Sequence, residues 1–308
     1  MAEQYETLKP APEIIKGMED RFWYVISGAC VKCGKCVKTC PAEAIKEEEG
    51  HYVIDQSLCI DCGTCSAVCP TGAAQRAPYR RESMLLSDID WNKAYFNPGC
   101  AINLYKSDVA EKLLMMLQRH YPTIKAHNVC CRHDPDVPEG STIINNCAGC
   151  DRRFRSLYQG VETISLWEVL DCIEGLELPD YGGVKMSVHD SCGYRHKPQV
   201  HAAIRSLLGK MNIEVVEAAF YGSASICCGD NFYCQVDNER VAERIQMRAE
   251  QFPCEDVVVY CIGCDHALAS VGKRSHYLPD LLCGAIDKSY ADTIDDYHNK
   301  LVAYIEAH

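Results

Sequence analysis

The sequence lacks several features that would assign it to a familiar class of protein. It has no long run of apolar residues, so it predicts no transmembrane helix. Its N-terminal segment has no basic stretch followed by an apolar one, so no secretory leader is expected. Neither a G-x-G-x-x-G after a strand nor a P-loop is present, so any flavin or nicotinamide is expected to come from a partner protein.

Positive charge is also scarce. The 31 lysines and arginines stand against 43 aspartates and glutamates, which gives a net charge of −12. Nucleic acid is therefore not an expected partner, because binding phosphates requires an excess of basic residues. An acidic surface suits docking to basic patches on partner proteins instead.

Cysteine, in contrast, is abundant, with 22 residues in a chain of 308. Without a secretory leader the expected location is cytoplasmic, where thiols stay reduced. Clustered cysteines in that compartment indicate metal ligands rather than a disulfide framework.

Two cysteine runs near the N-terminus follow the template C-x2-C-x2-C-x3-C-P, which is typical of bacterial two-cluster ferredoxins. The first three cysteines of each run bind one [4Fe–4S] cubane, and the fourth reaches the other cubane. We therefore expect cluster I on Cys30, Cys33, Cys36 and Cys69, and cluster II on Cys59, Cys62, Cys65 and Cys40. A pair of zinc knuckles is the alternative, but zinc has no use for two such runs of four cysteines ending in proline.

Glycines and a hairpin complete this module. Gly34 and Gly63 occupy matching positions, where a small residue lets backbone N–H groups approach the cluster sulfurs. The residues between the two runs, 47–58, predict a β-hairpin with a charged turn.

From residue 91 onward the chain is predicted to use one pattern twice. In each copy, strands lead into a single cysteine, a Cys-Cys pair and a C-x2-C motif, with helices between them. The first copy supplies Cys100, Cys130, Cys131, Cys147 and Cys150, and the second supplies Cys192, Cys227, Cys228, Cys261 and Cys264. Strand–helix alternation predicts an α/β domain with a parallel sheet, and ligands gather at the carboxyl ends of such strands. Five cysteines exceed the needs of a tetrahedral zinc site.

This pattern resembles the cysteine-rich CCG domain family, typified by the catalytic subunit of heterodisulfide reductase. The resemblance covers residues 95–285, and a two-cluster ferredoxin fused to two CCG domains is similar to the D-type subunit of that enzyme. The segment from His189 to Cys192 is similar to the family's His-Asp-Pro-Cys, with Ser191 in place of the proline. The resemblance implies an α/β fold in which a two-[4Fe–4S] ferredoxin-like domain precedes a pseudo-twofold, Rossmann-like CCG repeat domain with a parallel sheet.

The resemblance also implies a chemistry. In that family each five-cysteine set holds a non-cubane [4Fe–4S] cluster, a disulfide binds between the two clusters, and electrons arrive through the ferredoxin clusters. Carried over, the second set of cysteines together with His189 forms the expected catalytic site, and the first set forms a further metal site. The expected partners are a flavoprotein or cytochrome subunit and a ferredoxin, and the expected substrate is a small disulfide or thiol.

The first copy departs from the family pattern. In the second copy 34 residues separate Cys192 from Cys227 and 32 separate Cys228 from Cys261, whereas the corresponding intervals in the first copy are 29 and 15. Arg132 stands where the CCG glycine belongs, and the shorter interval removes the helix before the last strand. A non-cubane cluster, an ordinary cubane and zinc all stay open for the first site.

Residues around Cys192 have two interpretations. One interpretation is that they donate a proton to a leaving thiolate or bind an anionic substrate group. The other is that they are hydrogen-bond partners beside a buried metal centre. The residues concerned are His189, Tyr194, Arg195 and His196. Four cysteines lie outside both motifs, and a small buried residue is the default prediction for Cys172, Cys254 and Cys283. Cys234 is the exception, because it lies six residues after Cys228.

These patterns give the expected domain order: an N-terminal extension (1–27), the ferredoxin domain (28–75), a linker (76–92), the first CCG-like repeat (93–180), the second CCG repeat (181–290) and a C-terminal helix (291–308). The favoured function is a disulfide-reducing or thiol-oxidising subunit of an anaerobic redox complex. A non-catalytic electron-transfer subunit and a zinc-stabilised scaffold for the ferredoxin head are the alternatives.

Overall fold

The computed structural model describes residues 24–48, 50–56, 58–59, 62–76, 84–195, 197–230, 233, 238–285 and 293–307. The predictions made for His196 and Cys234, most of the N-terminal extension and part of the linker lie outside the described residues.

The N-terminal domain is built from two antiparallel strand pairs and two short helices. Strand β1 (Tyr24–Ile26) pairs with β4 (Ala74–Arg76), and the predicted hairpin forms between β2 (Ile45–Glu48) and β3 (His51–Ile54). Helix α1 (Lys35–Thr39) follows Gly34, and helix α2 (Thr64–Ala67) follows Gly63. Strand β1 lies within the segment predicted as an extension, so residues 24–26 belong to the paired structure of this domain.

Two four-stranded sheets follow, and all of their strands are parallel. The first has the order β6-β5-β7-β8 and consists of β5 (Ala94–Asn97), β6 (Lys125–Ala126), β7 (Ser141–Asn145) and β8 (Val161–Ser165). The second has the order β10-β9-β11-β12 and consists of β9 (Val184–His189), β10 (Ile213–Val215), β11 (Asp256–Val259) and β12 (Arg274–Tyr277). The predicted parallel α/β architecture is confirmed, and the two sheets have the same strand order.

Helices connect the strands of each sheet. The first sheet carries α3 (Cys100–Tyr105), α4 (Ser107–His120), α5 (Ala148–Leu157) and α6 (Leu166–Asp171). The second carries α7 (Pro198–Lys210), α8 (Asn238–Ala249), α9 (Ile262–Ser270) and α10 (Leu278–Leu282), and α11 (Ile294–Ala307) ends the described chain. No helix occurs in residues 132–140, whereas α8 occupies the corresponding place in the second repeat. The absence of this helix agrees with the prediction from the shortened interval between Cys131 and Cys147.

The central strands are buried on both faces. Every residue of β7 is buried, as are Val257, Val258 and Val259 of β11. Parallel sheets covered by helices on both sides favour such β-branched runs. The edge strands β8 and β12 were not predicted. They read Val-Glu-Thr-Ile-Ser and Arg-Ser-His-Tyr, and both lack a continuous apolar run.

One hydrophobic core extends through both repeats, and a buried ion pair ties them together. Lys106, at the junction of α3 and α4, lies 2.5 Å from the Asp280 carboxylate on α10, and their side chains are only 5% and 13% exposed. None of the described helices is both long and apolar enough to cross a lipid bilayer.

We predict that Lys106→Met destabilises the fold by about 3–5 kcal/mol, because it leaves the buried Asp280 carboxylate without its ammonium partner. Anaerobic denaturant unfolding measures this change. The matched control is Lys185→Met, since Lys185 pairs with Glu214 at 3.1 Å with both side chains more than half exposed, and about 0–1 kcal/mol is expected there. Equal losses for the two variants would contradict a structural role for the buried pair.

Candidate metal centres

The eight ferredoxin cysteines divide into two groups of four around two cavities. One cavity is lined by Cys30, Cys33, Cys36 and Cys69. The other is lined by Cys40, Cys59, Cys62 and Cys65. Each run thus contributes three thiols to one cavity and its fourth thiol to the other, which is the crossed arrangement expected from the sequence. The remaining lining residues are mostly apolar, including Ile26 and Tyr52 in the first cavity and Ile45 and Ile54 in the second.

The two crossing thiols accept matching backbone hydrogen bonds. The N–H of Ala44 donates to Cys40 Sγ at 3.3 Å, and the N–H of Ala74 donates to Cys69 Sγ at 3.4 Å. Such bonds stabilise negative charge on sulfur, as a metal-bound thiolate requires. Gly34 and Gly63 adopt φ values of 71° and 80°, in the left-handed region that glycine tolerates best. The donor chemistry of both cavities therefore fits the two cubanes.

The two cavities differ in depth. Cys33 and the neighbouring Val31 are exposed, with Val31 at 63%. Cys62 and Cys65 are buried, and burial raises the pKa of both thiols. Cys36 of the first cavity is buried too, so the difference between the cavities is that the first has an exposed thiol, Cys33, and the second has none. In this sense the second cavity is the deeper one.

The five cysteines of the second repeat form one continuous set of contacting thiols. Cys227 contacts Cys192 and Cys228, and Cys264 contacts Cys228 and Cys261. Cys227, Cys228 and Cys264 are buried. Hydrogen bonds from the thiols of Cys227 and Cys264 lower the pKa of Cys228 to about 7.

The first repeat assembles its five cysteines in the same contact order. Cys130 contacts Cys100 and Cys131, and Cys150 contacts Cys131 and Cys147. Cys130, Cys131 and Cys150 are buried. The shortened sequence therefore does not prevent the five thiols from converging. Five thiols joined by successive contacts suit a thiolate-ligated iron–sulfur group better than a four-coordinate zinc ion.

His189 belongs to the second set by position. One of its ring nitrogens lies within 4.8 Å of the Sγ atoms of both Cys228 and Cys264. Nε and Nη2 of Arg248, on α8, each lie 3.2 Å from Nδ1. The other ring nitrogen, Nε2, is buried and has no hydrogen-bond partner among the described residues. Burial and the Arg248 charge hold the pKa of His189 well below its usual range, so the imidazole is neutral, with its proton on Nε2.

Asp190, the next residue, anchors the loop that carries Cys192. Arg205 binds its two carboxylate oxygens at 2.6 and 2.8 Å, and the N–H of Gly222 donates to Oδ2 at 2.6 Å. A bidentate, charge-assisted pair of this kind fixes orientation as well as adding energy. In the first repeat Asn97 occupies the position of His189 and binds His127 Nδ1 at 2.8 Å, so the two sites differ in their surroundings.

The glycine of the CCG motif is required by helix α8. Gly229 has a φ of 119°, and a Cβ there would lie 2.5 Å from Ile245 Cγ1 and 3.1 Å from the Ile245 backbone nitrogen. The first repeat has no such helix, and Arg132, at the matching position, has no positive φ. The first repeat therefore needs no glycine at this position, because it has no helix for a side chain to collide with.

Two buried tyrosines lie near cysteines of both sets. Burial raises the pKa of Tyr277 and of Tyr297, and the nearby Cys261 and Cys147 raise both further. Asn146 of the first repeat donates to the Tyr277 hydroxyl at 2.9 Å. One cysteine of each repeat therefore lies near the same pair of phenols.

Helix α11 contributes to this region, although the sequence analysis treated the C-terminal helix only as an element. Tyr297 is 3% exposed, with its ring centroid 4.4 Å from that of His266. His298 bonds Asp230 at 3.0 Å, beside the Cys-Cys-Gly segment. The alternation of Tyr and Ile with charged residues along α11 is the sequence pattern that could have predicted a buried face on this helix. Among the cysteines outside the motifs, Cys172 is exposed and Cys254 and Cys283 are half-buried, so the prediction that they are buried was wrong.

Comparison with known proteins agrees with two of these sites. Residues 29–74 match the family described as 4Fe-4S dicluster domain, and residues 186–269 match the family described as Cysteine-rich domain, or CCG. The chain therefore carries a ferredoxin domain and a CCG domain. It is an iron–sulfur protein. The matched CCG residues lie in the second repeat, whose motif is the complete one.

Two curated ferredoxins resemble the first domain. The ferredoxin of Megasphaera elsdenii is 64% identical over 30 residues, and the 4Fe-4S ferredoxin FdxA of Gottschalkia acidurici is 50% identical over 32. Each match covers 10% of this chain and spans little more than half of the relative, 56% and 57%. A hypothetical protein from Helicobacter pylori is structurally similar at a TM-score of 0.40 and 9% identity, over 67% of this chain and 51% of its own.

The crossed cysteine arrangement can be tested with double variants. We predict that Cys40→Ala with Cys65→Ala loses about four iron atoms, because both thiols line the same cavity, and that Cys40→Ala with Cys36→Ala loses about eight. Iron and acid-labile sulfide on anaerobically purified protein measure this. The reverse order, about eight and then about four, would show that each run binds its own cluster.

Gly229→Ala tests the contact with helix α8. We expect a loss of about 1–3 kcal/mol of unfolding free energy from overpacking against Ile245, together with loss of metal from the second repeat. Arg132→Ala at the matching position of the first repeat is the control and should change stability by about 0.5 kcal/mol or less. An unchanged Gly229→Ala protein would contradict the packing described here.

Proposed function

We propose that the chain is the disulfide-reducing or thiol-oxidising subunit of an anaerobic redox complex, similar to heterodisulfide reductase. The observation that carries this proposal is the convergence of two five-thiol sets with the same contact order. The iron–sulfur character of the ferredoxin and CCG domains supports electron transfer in either direction. A cytoplasmic location stays a prediction.

The residues that would hold the clusters follow from the geometry. The two ferredoxin groups would hold two cubanes, and the sets beginning at Cys100 and Cys192 would each hold a further cluster. When bound, such clusters supply one-electron storage and an iron able to take a substrate sulfur. The domain limits from the sequence analysis are proposed with them, with strand β1 added to the ferredoxin domain.

The reaction requires two electrons and two protons: R–S–S–R′ + 2e⁻ + 2H⁺ gives RSH and R′SH. A low-potential carrier protein, a ferredoxin or a flavoprotein subunit, would supply the electrons, because the chain has no nucleotide motif of its own. The exposed Cys33 end of the ferredoxin domain suits this contact.

The substrate would lie between Cys147 and Cys261, beside Tyr277 and Tyr297. These phenols keep their protons, because burial raises the pKa of both. They would exclude bulk water and donate hydrogen bonds to a developing thiolate. We assign His189 a positioning role: its Nε2–H would donate to sulfur beside Cys228 and Cys264.

A second function, a non-catalytic relay, is favoured by the asymmetry of the two repeats. The first repeat has Asn97 in place of His189 and no counterpart of Arg248, because it lacks helix α8. If both sites serve only as electron carriers, they need not match. The first site then accommodates an ordinary cubane or zinc as well as a non-cubane cluster.

We predict about 16 iron atoms per chain, four clusters of four, and an EPR signal that appears when thiol is added under oxidising conditions. Cys228→Ala and Cys131→Ala should each lose about four iron atoms. Metal analysis and EPR on the anaerobic protein measure these outcomes.

Other results would exclude the enzyme. About eight iron atoms with one or two zinc ions would leave only the ferredoxin clusters. Full iron with no thiol-dependent signal and no disulfide turnover would assign the relay function instead.

A further inference from the structure

A direct hydrogen bond joins a cysteine of the ferredoxin domain to a cysteine of the second repeat. The backbone N–H of Cys227 donates to the carbonyl of Cys62 at 3.1 Å. Cys62 lines the deeper ferredoxin cavity, and Cys227 belongs to the second five-thiol set. Both residues are buried, at 8% and 5% exposure. The two candidate centres are thus connected through one peptide contact that excludes water.

Arg195 holds this contact in place. Its Nη2 donates to the same Cys62 carbonyl at 2.9 Å, and its Nε donates to the Ser225 carbonyl, two residues before Cys227, at 2.6 Å. Its Nη1 donates to the Tyr24 hydroxyl at 2.6 Å. The guanidinium therefore binds both domains at once, and the side chain is only 3% exposed. Arg195 lies three residues after Cys192 in the sequence.

Gly63 leaves the space that Arg195 occupies. A Cβ at Gly63 would lie 2.5 Å from the guanidinium carbon and 2.7 Å from each of its terminal nitrogens. From the sequence, this glycine was expected only to let backbone N–H groups approach the cluster sulfurs. The structure shows a second use: the cation fits against the residue that follows Cys62.

Helix α8 makes further contacts between the second repeat and the ferredoxin domain. Arg244 donates to the Thr39 carbonyl at 3.0 Å, and Arg240 lies 3.7 Å from the Glu43 carboxylate. Both arginines are on α8, which the first repeat lacks. The inserted helix therefore supplies part of the surface against which the ferredoxin domain packs.

We propose that electrons pass between the ferredoxin domain and the second repeat through the Cys62–Cys227 hydrogen bond, and that Arg195 is the positioning residue that closes this path. The step moves one electron and neither makes nor breaks a bond. The electron comes from the low-potential carrier protein and goes to the disulfide, so this inference rests on the proposed function. Electrons would then reach the centres in this order: the ferredoxin cavity with the exposed Cys33, the deeper ferredoxin cavity, the second repeat and the first repeat.

The choice of this path follows from the decay of electron tunnelling with distance, which is steeper through empty space than through bonded atoms. A hydrogen bond between backbone groups of two ligand residues is a short bonded path. The Arg195 charge beside the Cys62 carbonyl also favours electron density on the deep ferredoxin centre, because a buried cation interacts strongly at low dielectric.

The experiment compares the wild-type chain with Arg195→Met and Arg195→Lys by EPR-monitored redox titration and rapid freeze-quench reduction. Arg195→Met should shift the electron distribution between clusters I and II about tenfold away from cluster II, equivalent to 59 mV for one electron. It should also slow the appearance of reduced second-repeat signal. Arg195→Lys keeps the charge, so it should restore the potential but not the rate.

The control is Arg244→Met, which removes an arginine contact between the same two domains but not the one to Cys62. It should leave both the potential and the rate unchanged. Tyr24→Phe removes one acceptor of Arg195 and should slow the electron transfer less than Arg195→Met does. If Arg195→Met loses iron, the rates of Tyr24→Phe and Arg195→Lys test the role of Arg195 instead.

Two outcomes would overturn the inference: an iron-replete Arg195→Met protein with wild-type potential and rate, or equal effects of Arg244→Met. Failure of the proposed function gives a different result in wild-type protein: either no reducible second-repeat centre at all, or a reducible centre with no thiol-dependent signal and no disulfide turnover.

Discussion

The structure depends on the packing of thiols against one another in places that water does not reach. A buried thiolate costs free energy unless a cation neutralises it, and five contacting thiols cannot all ionise without one. A thiolate-ligated metal group resolves this constraint, because it removes the protons and supplies the compensating charge. The crossed ferredoxin cysteines, the two matching five-thiol sets and the neutral His189 beside the second set are all consistent with it.

Helix α8 accounts for most of what distinguishes the two repeats. It supplies Arg248, which fixes the proton position on His189, and Ile245, which requires Gly229 to lack a side chain. It also supplies Arg240 and Arg244, which contact the ferredoxin domain. One helix thus links the motif glycine, the environment of the second site and the packing of the ferredoxin domain against the second repeat.

The cysteine pattern predicted much of the architecture, because ligand spacing is short-range information that survives in the sequence. The crossed arrangement of Cys40 and Cys69 and the missing helix after Arg132 were predictable from this spacing. The hairpin and the parallel sheets were predictable from the turn residues between the two runs and from the alternation of strands and helices. The roles of Arg195 and Tyr297 were harder to predict, because their partners are distant in the sequence. Arg195 binds Cys62, 133 residues away, and Tyr297 packs against His266 on a different helix. Strands β8 and β12 were missed because both are short and polar residues interrupt their apolar ones. The contact order of the first thiol set could not be inferred from its shortened intervals, because the intervals fix chain length and not the direction in which each side chain points.

The central claim is that four separate iron–sulfur centres lie along one path, with the second repeat next to the ferredoxin domain. Anomalous diffraction at the iron edge from anaerobically grown crystals tests it most directly. The account predicts four iron peaks, two in the ferredoxin cavities and one at each five-thiol set, with the Cys62–Cys227 hydrogen bond between the second and third. Iron in the ferredoxin cavities alone, with zinc or no metal at the five-thiol sets, would contradict it.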